Sequence, residues 1–288
     1  MSYRSERWFE WVNAALLILI SLSMLAPLIH LVAISFSSVD FVNAREVSFW
    51  PKGFQMDVYA EIFGMNQLWR SLGVSVYITL TGTALCLLLS STLSYALSRA
   101  YMPGRAWILR GIVLTFIFSI PMIPSYLVVK ALWMENTLWS LIVPGALGAF
   151  YVVIMKTFFQ GISSELLEAA KIDGSNELGI FFRLVLPLSK PVLATMALFH
   201  AVGQWNSYFG ALIYLRDRTL YPLQLVLREL VVEDQANALV YDTPALAMTT
   251  PEMMKAGVIL FATLPIVAVY PFLQKHFVQG AMLGSLKE

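Results

Sequence analysis

The chain has 288 residues, of which 58% are hydrophobic and only 13% are charged, and its formal net charge at pH 7 is +1. A soluble domain of ordinary composition carries about 25% charged residues, so this composition excludes a soluble globular protein and predicts a membrane protein. A nearly neutral chain without a basic patch gives no indication of nucleic-acid binding.

The charged residues are absent from six long stretches of the sequence. Each stretch has at least 19 residues, close to the roughly 20 that a helix needs to cross the hydrocarbon layer. The pattern predicts an all-α membrane protein, a single domain over 1–288 with six transmembrane helices and both termini on the same side. The predicted spans are 11–39, 71–98, 111–129, 136–155, 191–215 and 256–274.

Lys and Arg residues in the connecting segments predict the orientation. With a cytoplasmic N-terminus, the inner segments hold 11 Lys and Arg against 7 Asp and Glu, and the outer segments hold 8 against 11. The loop 99–110 has three Arg residues and no acid. Because basic residues are enriched on the cytoplasmic side, we expect both termini and the loops 99–110 and 156–190 in the cytoplasm. Segments 40–70 and 216–255 then face outward.

Two spans carry internal signals. Span 71–98 is rich in Ser, Thr, Gly and Ala, which predicts close packing against other helices; a lining role in a translocation path is the alternative. Span 111–129 contains Pro121 and Pro124. Two prolines three residues apart kink or break a helix, and broken helices at membrane depth are tolerated where they line cavities or pack in protein.

The loop 156–190 is a charged segment between two apolar spans. It contains residues that typically begin and end helices. Ser164 is a fair N-cap for a first helix, and Gly174 can adopt the left-handed conformation that ends it. Ser175 can cap a second helix, and Pro187 is expected to stop that helix before the next span. The loop is therefore predicted to be a helix, a glycine hinge and a second helix.

The first of these helices has a face of small and apolar residues. Ala169 and Ala170 allow the backbone of another protein to come close, Leu166 offers an apolar contact, Glu168 can meet a basic residue, and Asp173 lies on the same face. The pattern indicates a docking surface, with a helix that merely connects two spans as the alternative.

The spacing of this loop resembles the EAA signature of ABC importer permeases, Glu-Ala-Ala-x3-Gly-x9-Ile-x-Leu-Pro. The only departure is a Leu in place of the Ile, which is an apolar exchange. The matching residues are Glu168-Ala169-Ala170, then Gly174, Leu184 in place of the Ile, and Leu186-Pro187.

Three further segments are similar to carbohydrate-type permeases of this family. They are residues 50–54 (Trp-Pro-Lys-Gly-Phe) leading to Tyr59, residues 204–208 (Gln-Trp-Asn-Ser-Tyr) and residues 271–280 near the end. Together they look like the shorter, six-span subunit of the maltose-transporter type, and more narrowly like Gram-positive-type permeases for complex oligosaccharides. Some of these handle uronic-acid-containing breakdown products. An ABC permease for a non-sugar solute is the alternative.

The resemblance implies the partners and the energy source. It implies a cytoplasmic-membrane permease that pairs with a second permease subunit, in a heterodimer rather than a homodimer, and with two ATP-binding subunits. An extracytoplasmic sugar-binding protein would deliver the oligosaccharide. The chain has no Gly-x4-Gly-Lys-Ser/Thr phosphate loop, so no cofactor is expected in it, and ATP and Mg²⁺ belong to the partner ATPase. The expected coupling residues are Leu166, Glu168, Ala169, Ala170, Asp173, Gly174, Leu186 and Pro187.

Span five carries the candidate sugar path. Gln204, Trp205, Asn206 and Tyr208 combine amide groups and aromatic faces, which suit sugar hydroxyls and C–H faces, whereas interfacial anchoring explains Trp and Tyr equally well. His200 is expected to be a packed, hydrogen-bonded histidine, because no second histidine or carboxylate stands at metal-ligand spacing.

Two other classes fit the sequence poorly. A membrane enzyme would need clustered acids, histidines or a nucleophile near a membrane face, and the three histidines are scattered. An ion-coupled secondary transporter would need charged residues inside its spans, and the six spans have none. The chain is therefore predicted to be a translocation subunit and not an enzyme.

Overall fold

The computed structural model describes residues 3–118, 120–232 and 249–285, with side chains over 8–118, 120–231 and 249–269. Every regular element in these residues is a helix, which confirms the predicted all-α fold class. The side chains of the segment 271–280 lie outside the described residues.

Fourteen α-helical elements are numbered here along the described chain. They are α1 Tyr3–Ser35, α2 Val39–Asn43, α3 Asp57–Gly64, α4 Asn66–Ser98, α5 Arg105–Ile117, α6 Met122–Ala131, α7 Trp139–Ile142, α8 Ala149–Gln160, α9 Ser164–Ile172, α10 Glu177–Leu188, α11 Lys190–Asn206, α12 Phe209–Tyr214, α13 Leu223–Val232 and α14 Pro251–Ser285. A 3₁₀ turn lies at Arg218–Leu220, and α10 contains a π-helical stretch at Phe181–Val185.

Three helices of the described chain are long and apolar enough to cross a membrane. They are Trp8–Ser35, Asn66–Ser98 and Pro251–Val269, and a fourth span results if α10 and α11, which meet at 79°, are taken together. Each of the other three predicted spans is interrupted. One break, between α5 and α6, coincides with the prolines that are predicted to kink or break this span, and Pro121 occupies the N-cap position of α6. The other breaks separate α7 from α8 and α11 from α12.

The described chain divides into two compact units. The first takes residues of Met1–Trp69 and Val226–Pro265, and the second takes residues of Arg70–Leu225 and Ile266–Glu288. In the first unit, α14 crosses α3 so closely that a Cβ atom on Gly257 would lie 2.6 Å from Val58 Cγ1 and 2.7 Å from Ile62 Cδ1. Val58 and Ile62 are fully buried, so this contact is part of the core of that unit.

The segment 36–55 of the first unit folds back on itself after α1. Ser38 N–H donates to Lys52 O at 2.9 Å, and Gln55 N–H donates to Phe36 O at 3.1 Å. Gly53 turns the chain with a φ of +63°, and a Cβ atom there would lie 2.5 Å from Ser38 Oγ. The local structure therefore requires glycine in the sequence segment 50–54.

The second unit holds the loop 156–190 and its core. Side chains of α4, α8, α9, α10 and α11 meet in one apolar cluster, in which Met155 and Val185 are fully buried. The other buried members are Tyr95, Phe159, Leu167, Ile180, Phe181, Val192 and Met196. The loop is therefore packed against the ends of membrane helices rather than extended away from them.

Candidate functional site

The loop 156–190 forms a helix–turn–helix. α9 ends in a Schellman motif: Ser175 N–H donates to Ala170 O and Gly174 N–H donates to Lys171 O, both at 3.0 Å. Gly174 has a φ of +80°, so the predicted left-handed end of the helix is confirmed.

The two predicted caps each lie one residue away from the observed ones. The N-cap position of α9 is Ser163, and its side chain accepts no hydrogen bond from the described helix. α10 is capped by Asn176, whose Oδ1 accepts from Gly179 N–H at 2.7 Å. The longer Asn side chain reaches the third residue of the helix, which makes it as good a cap as serine.

α9 turns one apolar side chain inward and leaves most of the predicted docking face exposed to solvent. Leu167 is 7% exposed and belongs to the core cluster, whereas Leu166 on the same helix is 42% exposed. The predicted coupling residues fall into two groups. Leu166, Glu168, Ala169, Asp173, Gly174 and Pro187 are exposed, and Ala170 and Leu186 are half-buried against the core cluster.

The sequence reasoning did not include the most exposed apolar residue of the loop. Ile172 is 86% exposed, immediately before the turn, and Leu178 is 68% exposed after it. An isolated exposed apolar side chain is ordinary. Two at one turn, next to a face of small residues, add apolar area to the predicted docking surface. The helical spacing of Ile172 from Glu168 places it on the same face, and this signal was available in the sequence.

A polar cluster ties the loop to α4 and is called here the Glu177 cluster. Glu177 Oε1 lies 2.8 Å from Lys171 Nζ and accepts from Tyr101 Oη–H at 2.6 Å. Glu177 Oε2 accepts from Tyr95 Oη–H at 2.7 Å. Lys171 Nζ also donates to Tyr101 Oη at 3.2 Å. The carboxylate thus joins α9, α10, the end of α4 and the segment that follows it.

The ionisation of the Glu177 cluster follows from these contacts. Burial alone would raise the pKa of Glu177, but hydrogen bonds from Lys171, Tyr101 and Tyr95 outweigh it and hold the pKa at about 2. The same hydrogen bonds, from Glu177 first and Tyr101 second, raise the pKa of Lys171. The carboxylate and the ammonium group are therefore both charged at neutral pH.

α10 leads into α11 through a sharp bend at Ser189. The two helices meet at 79°, and Ser189 N–H donates to Val185 O at 3.0 Å and to Leu186 O at 3.1 Å. The expectation that Pro187 stops the second helix is wrong, because α10 continues through Pro187 to Leu188. Pro187 is the penultimate residue of α10 and follows the π-helical stretch, so the helix ends one residue after it.

The four candidate path residues lie at the end of α11 but do not share one environment. Gln204 Nε2 donates to Leu141 O at 2.9 Å, so its amide binds the backbone of α7. Trp205 is buried, and its Nε1–H has no acceptor among the described residues. Asn206 is exposed and donates to Val202 O within its own helix. Tyr208 is 41% exposed after the end of α11.

His200 is buried and hydrogen-bonded, as expected from the sequence. Its Nδ1 lies 3.1 Å from Thr83 Oγ1 and its Nε2 lies 3.4 Å from Gly145 O. It therefore links α11 to α4 and to the break between α7 and α8. Among the described residues there is no group of three His, Cys, Asp or Glu side chains arranged to hold a metal ion.

The comparison with protein families decides the class of this helical bundle. The family described as binding-protein-dependent transport system inner membrane component matches residues 96–283, which include the whole helix–turn–helix. The chain belongs to this family. Inner membrane components of such systems are translocation subunits, so the expectation of a permease rather than an enzyme is confirmed, and so is the membrane location.

Several permeases of this family are similar to the chain over its whole length. Protein LplC of Bacillus subtilis is 43% identical over 284 residues, which cover 99% of this chain and 96% of LplC. The polygalacturonan/rhamnogalacturonan transport system permease protein YtcP, also of Bacillus subtilis, is 43% identical over 98% of this chain and 99% of its own. The arabinooligosaccharides permease AraQ of Halalkalibacterium halodurans is 30% identical over both full lengths.

Solved permease structures have the same fold. A chain of a bacterial ABC transporter involved in the import of the acidic polysaccharide alginate matches with a TM-score of 0.87 and 31% identity, over 96% of this chain and 99% of that one. A chain from a bacterial alginate ABC transporter in complex with an alginate pentasaccharide-bound periplasmic protein matches with a TM-score of 0.56 and 14% identity. The second match concerns the fold alone.

Proposed function

We propose that this permease forms half of the membrane pore of an ATP-driven importer for oligosaccharides that contain uronic acids. The observation that carries the proposal is the exposed face of α9, where most of the EAA residues are accessible to solvent beside the buried core cluster. The similarity to YtcP and to the alginate transporter supports the acidic oligosaccharide as substrate. The same relatives favour a sugar over a non-sugar solute.

The proposed topology has six spans, with both termini and the loop 156–190 in the cytoplasm. Three of these spans would be helices broken inside the membrane, namely α5 with α6, α7 with α8, and α11 with α12. Irregular backbone at membrane depth is tolerated where it is buried in protein or lines a water-filled path. Broken helices are therefore compatible with a permease that moves a polar solute.

Energy would reach the permease from partner subunits. We propose that two ATPase subunits, which bind ATP and Mg²⁺, hold the loops of this permease and of a second permease subunit. Glu168, Ala169, Ala170 and Gly174 would lie in a cleft of the ATPase, and closure of the ATPase dimer would move α9 and switch access across the membrane. The exposed Ile172 gives this contact an apolar centre, because burial of such a side chain contributes roughly 2 kcal/mol to association.

The sugar would pass between two different permease subunits after delivery by an extracytoplasmic binding protein. At the end of α11, Asn206 and Tyr208 are the exposed members of the candidate path and are the first choices for sugar contacts in this chain. Gln204 and Trp205 would position this part of the chain rather than contact the sugar, since Gln204 is bonded to Leu141 and Trp205 is buried.

The test is ATPase activity and sugar uptake by the assembled importer in nanodiscs and proteoliposomes, with its binding protein. We expect stimulation by oligogalacturonate-loaded binding protein and not by the same protein offered maltotriose. Glu168→Ala should abolish the stimulation, whereas Glu165→Ala, which removes an exposed acid outside the signature on the same helix, should leave it unchanged. Stimulation by the neutral sugar alone would contradict the acidic substrate, and failure of the ATPase to associate would contradict the importer.

A further inference from the structure

A cleft of about 370 Å³ opens in the second unit between the end of α4 and the start of α9. Tyr95, Ser98, Arg99 and Tyr101 line one side, and Ser164 and Lys171 are among the residues that line the other. The cleft lies at the end of span 71–98 that the Lys and Arg distribution assigns to the cytoplasm. Its position is therefore the boundary between lipid headgroups and cytoplasm.

The guanidinium group of Arg99 is the unusual group in this cleft. Its Cζ lies 4.3 Å from the centre of the Tyr95 ring, so one face is used in a cation–π contact. Its Nε and Nη2 are shielded from solvent and make no hydrogen bond within the described residues. These two nitrogens form the edge of the guanidinium that binds a carboxylate or phosphate with two parallel hydrogen bonds.

A buried, permanently charged edge without acceptors is unfavourable. Rotation of the flexible Arg99 side chain toward the cleft, where an anion can accept both hydrogen bonds, relieves this cost. Lys171 is not the group that would bind the anion, because its ammonium group is already paired with Glu177. Arg99 is thus the cationic group of the cleft whose hydrogen-bonding edge is not already used by a described residue.

The start of α9 adds a second feature that favours an anion. Ser164, the first residue of α9, lines the cleft, and the side chain of Ser163 at the N-cap position accepts no hydrogen bond from the described helix. The first N–H groups of a helix carry partial positive charge and bind phosphate. Among the described residues that line the cleft, Glu168 is the acid that opposes an anion, and it is exposed and can turn toward solvent. The carboxylate of Glu177 is already neutralised by Lys171.

The surroundings favour a lipid as the source of the anion. Tyr101 and Trp107 are 63% and 75% exposed, and Arg110 lies 5.0 Å from the centre of the Trp107 ring. Exposed aromatic rings with arginine are typical of the headgroup region, and basic pockets at the cytoplasmic ends of membrane helices bind anionic lipid headgroups.

We propose that this cleft binds a phosphate group through Arg99 and the start of α9, supplied by an anionic phospholipid headgroup or by free phosphate. A phosphate there would touch both the end of α4 and the start of α9, and would add a second polar link between these helices beside the Glu177 cluster. The proposal rests on the proposed function only for the cytoplasmic location of the cleft.

The test is lipid binding by the delipidated importer complex, measured by native mass spectrometry and by its thermal unfolding midpoint. We expect phosphatidylglycerol to bind and to raise the midpoint, with phosphatidylcholine at least several-fold weaker. Arg99→Gln should reduce phosphatidylglycerol binding about tenfold, and Arg99→Lys, which keeps the charge but not the two-donor edge, should reduce it less. Arg183→Gln removes an equal charge from an exposed position on α10 that does not line the cleft, and should bind like the wild type.

Inorganic phosphate separates the two sources. Stabilisation by millimolar phosphate without lipid, lost in Arg99→Gln, would assign the site to free phosphate, whereas no effect of phosphate beside a clear effect of phosphatidylglycerol would assign it to lipid. Equal binding by wild type and both Arg99 variants would overturn the proposal, and so would equal losses in Arg99→Gln and Arg183→Gln. These readouts do not depend on the transported sugar, so they stand apart from the test of the importer itself.

Discussion

Lys171 and Glu177 are joined across the turn at Gly174 by an ion pair of 2.8 Å. The pair connects the last turn of α9 to the first turn of α10, so the two helices are fixed at both ends of the turn. Because Tyr95 and Tyr101 bind the same carboxylate, the turn is also fixed to the end of α4. A force on α9 therefore has a polar route to the membrane helices in addition to the covalent one.

The first prediction concerns Glu177 and pH. Its folded-state pKa of about 2 lies below the ordinary value of 4.5, so its contribution to stability is complete above pH 4.5 and is lost as the pH falls toward 2. Thermal unfolding should show Glu177→Gln less stable than wild type by a constant margin between pH 5 and 8. The margin should shrink below pH 4.5, and a margin that instead changes between pH 6 and 8 would contradict the assignment.

The second prediction concerns the hydroxyl group of Tyr95. Tyr95→Phe removes the donor at 2.7 Å to Glu177 Oε2 but keeps the ring in the core. We expect a loss of about 1 kcal/mol of stability and a lower yield of transport per ATP hydrolysed, because one link between α10 and α4 is gone. Tyr151→Phe, which changes a ring packed against the same core cluster whose hydroxyl is not among the groups that bind Glu177, is the control. Equal effects of both variants would assign the loss to packing.

The third prediction concerns the conformation at Gly174. A Cβ atom on Gly174 meets no described atom within 4 Å, so a substitution there acts through its φ of +80° and through any new charge. Gly174→Ala should cost about 1 kcal/mol, because alanine disfavours the left-handed region. Gly174→Asn should cost less, because asparagine tolerates it.

Gly174→Asp separates charge from conformation. It shares the backbone tolerance of Asn but adds a negative charge to the proposed docking surface. We expect Gly174→Asp to uncouple uptake from ATP hydrolysis in proteoliposomes while Gly174→Asn remains coupled. Normal coupling in Gly174→Asp would contradict the assignment of this turn to the ATPase contact.

The fourth prediction compares two apolar residues on opposite sides of α9. Ile172→Ser exposes no core and should leave the thermal unfolding midpoint unchanged, but it should weaken association of the ATPase subunit roughly tenfold. Leu167→Ser opens the core cluster and should lower the midpoint. Association in detergent is measured by co-purification and by microscale thermophoresis. An Ile172→Ser variant that binds the ATPase as tightly as wild type would remove Ile172 from the docking surface.

The fifth prediction concerns the close crossing of α14 and α3. Gly257→Ala forces a Cβ atom to within 2.6 Å of Val58 Cγ1, and overpacking of this kind costs about 1–3 kcal/mol. The second change Val58→Ala removes the clashing methyl group and should recover part of the loss. Gly73→Ala is the matched control, since its Cβ atom meets nothing within 4 Å. A neutral Gly257→Ala would mean that the helices separate at little cost.

Sequence reasoning succeeded where one residue determines the local backbone. Gly174 predicted a left-handed helix end because glycine permits a positive φ. Pro121 and Pro124 predicted a broken span because proline fixes φ and lacks the backbone N–H. The caps of α9 and α10 were displaced by one residue. Neighbouring polar residues can each take the cap position, Ser163 or Ser164 at α9 and Ser175 or Asn176 at α10, and the residue types alone do not select one.

The sequence could not predict features that depend on tertiary contact. Tyr95 lies 82 residues before Glu177, and nothing in the spacing of either residue indicates that they meet. The breaks between α7 and α8 and between α11 and α12 were hidden for a different reason. Hydropathy measures how apolar a stretch is and not the direction of its backbone. Two short apolar helices in succession therefore give the same signal as one long helix.

The bend at Ser189 makes α10 and α11 the two arms of a lever. At 1.5 Å per residue, α10 is about 18 Å long and α11 about 26 Å. Ser189 is fully buried at the pivot, and its N–H holds two carbonyl oxygens of the preceding turn. If the 79° angle is kept, a sideways displacement of the Glu177 end is enlarged about 1.4-fold at the Asn206 end. A small push from the cytoplasm would thus become a larger displacement where the sugar is proposed to pass.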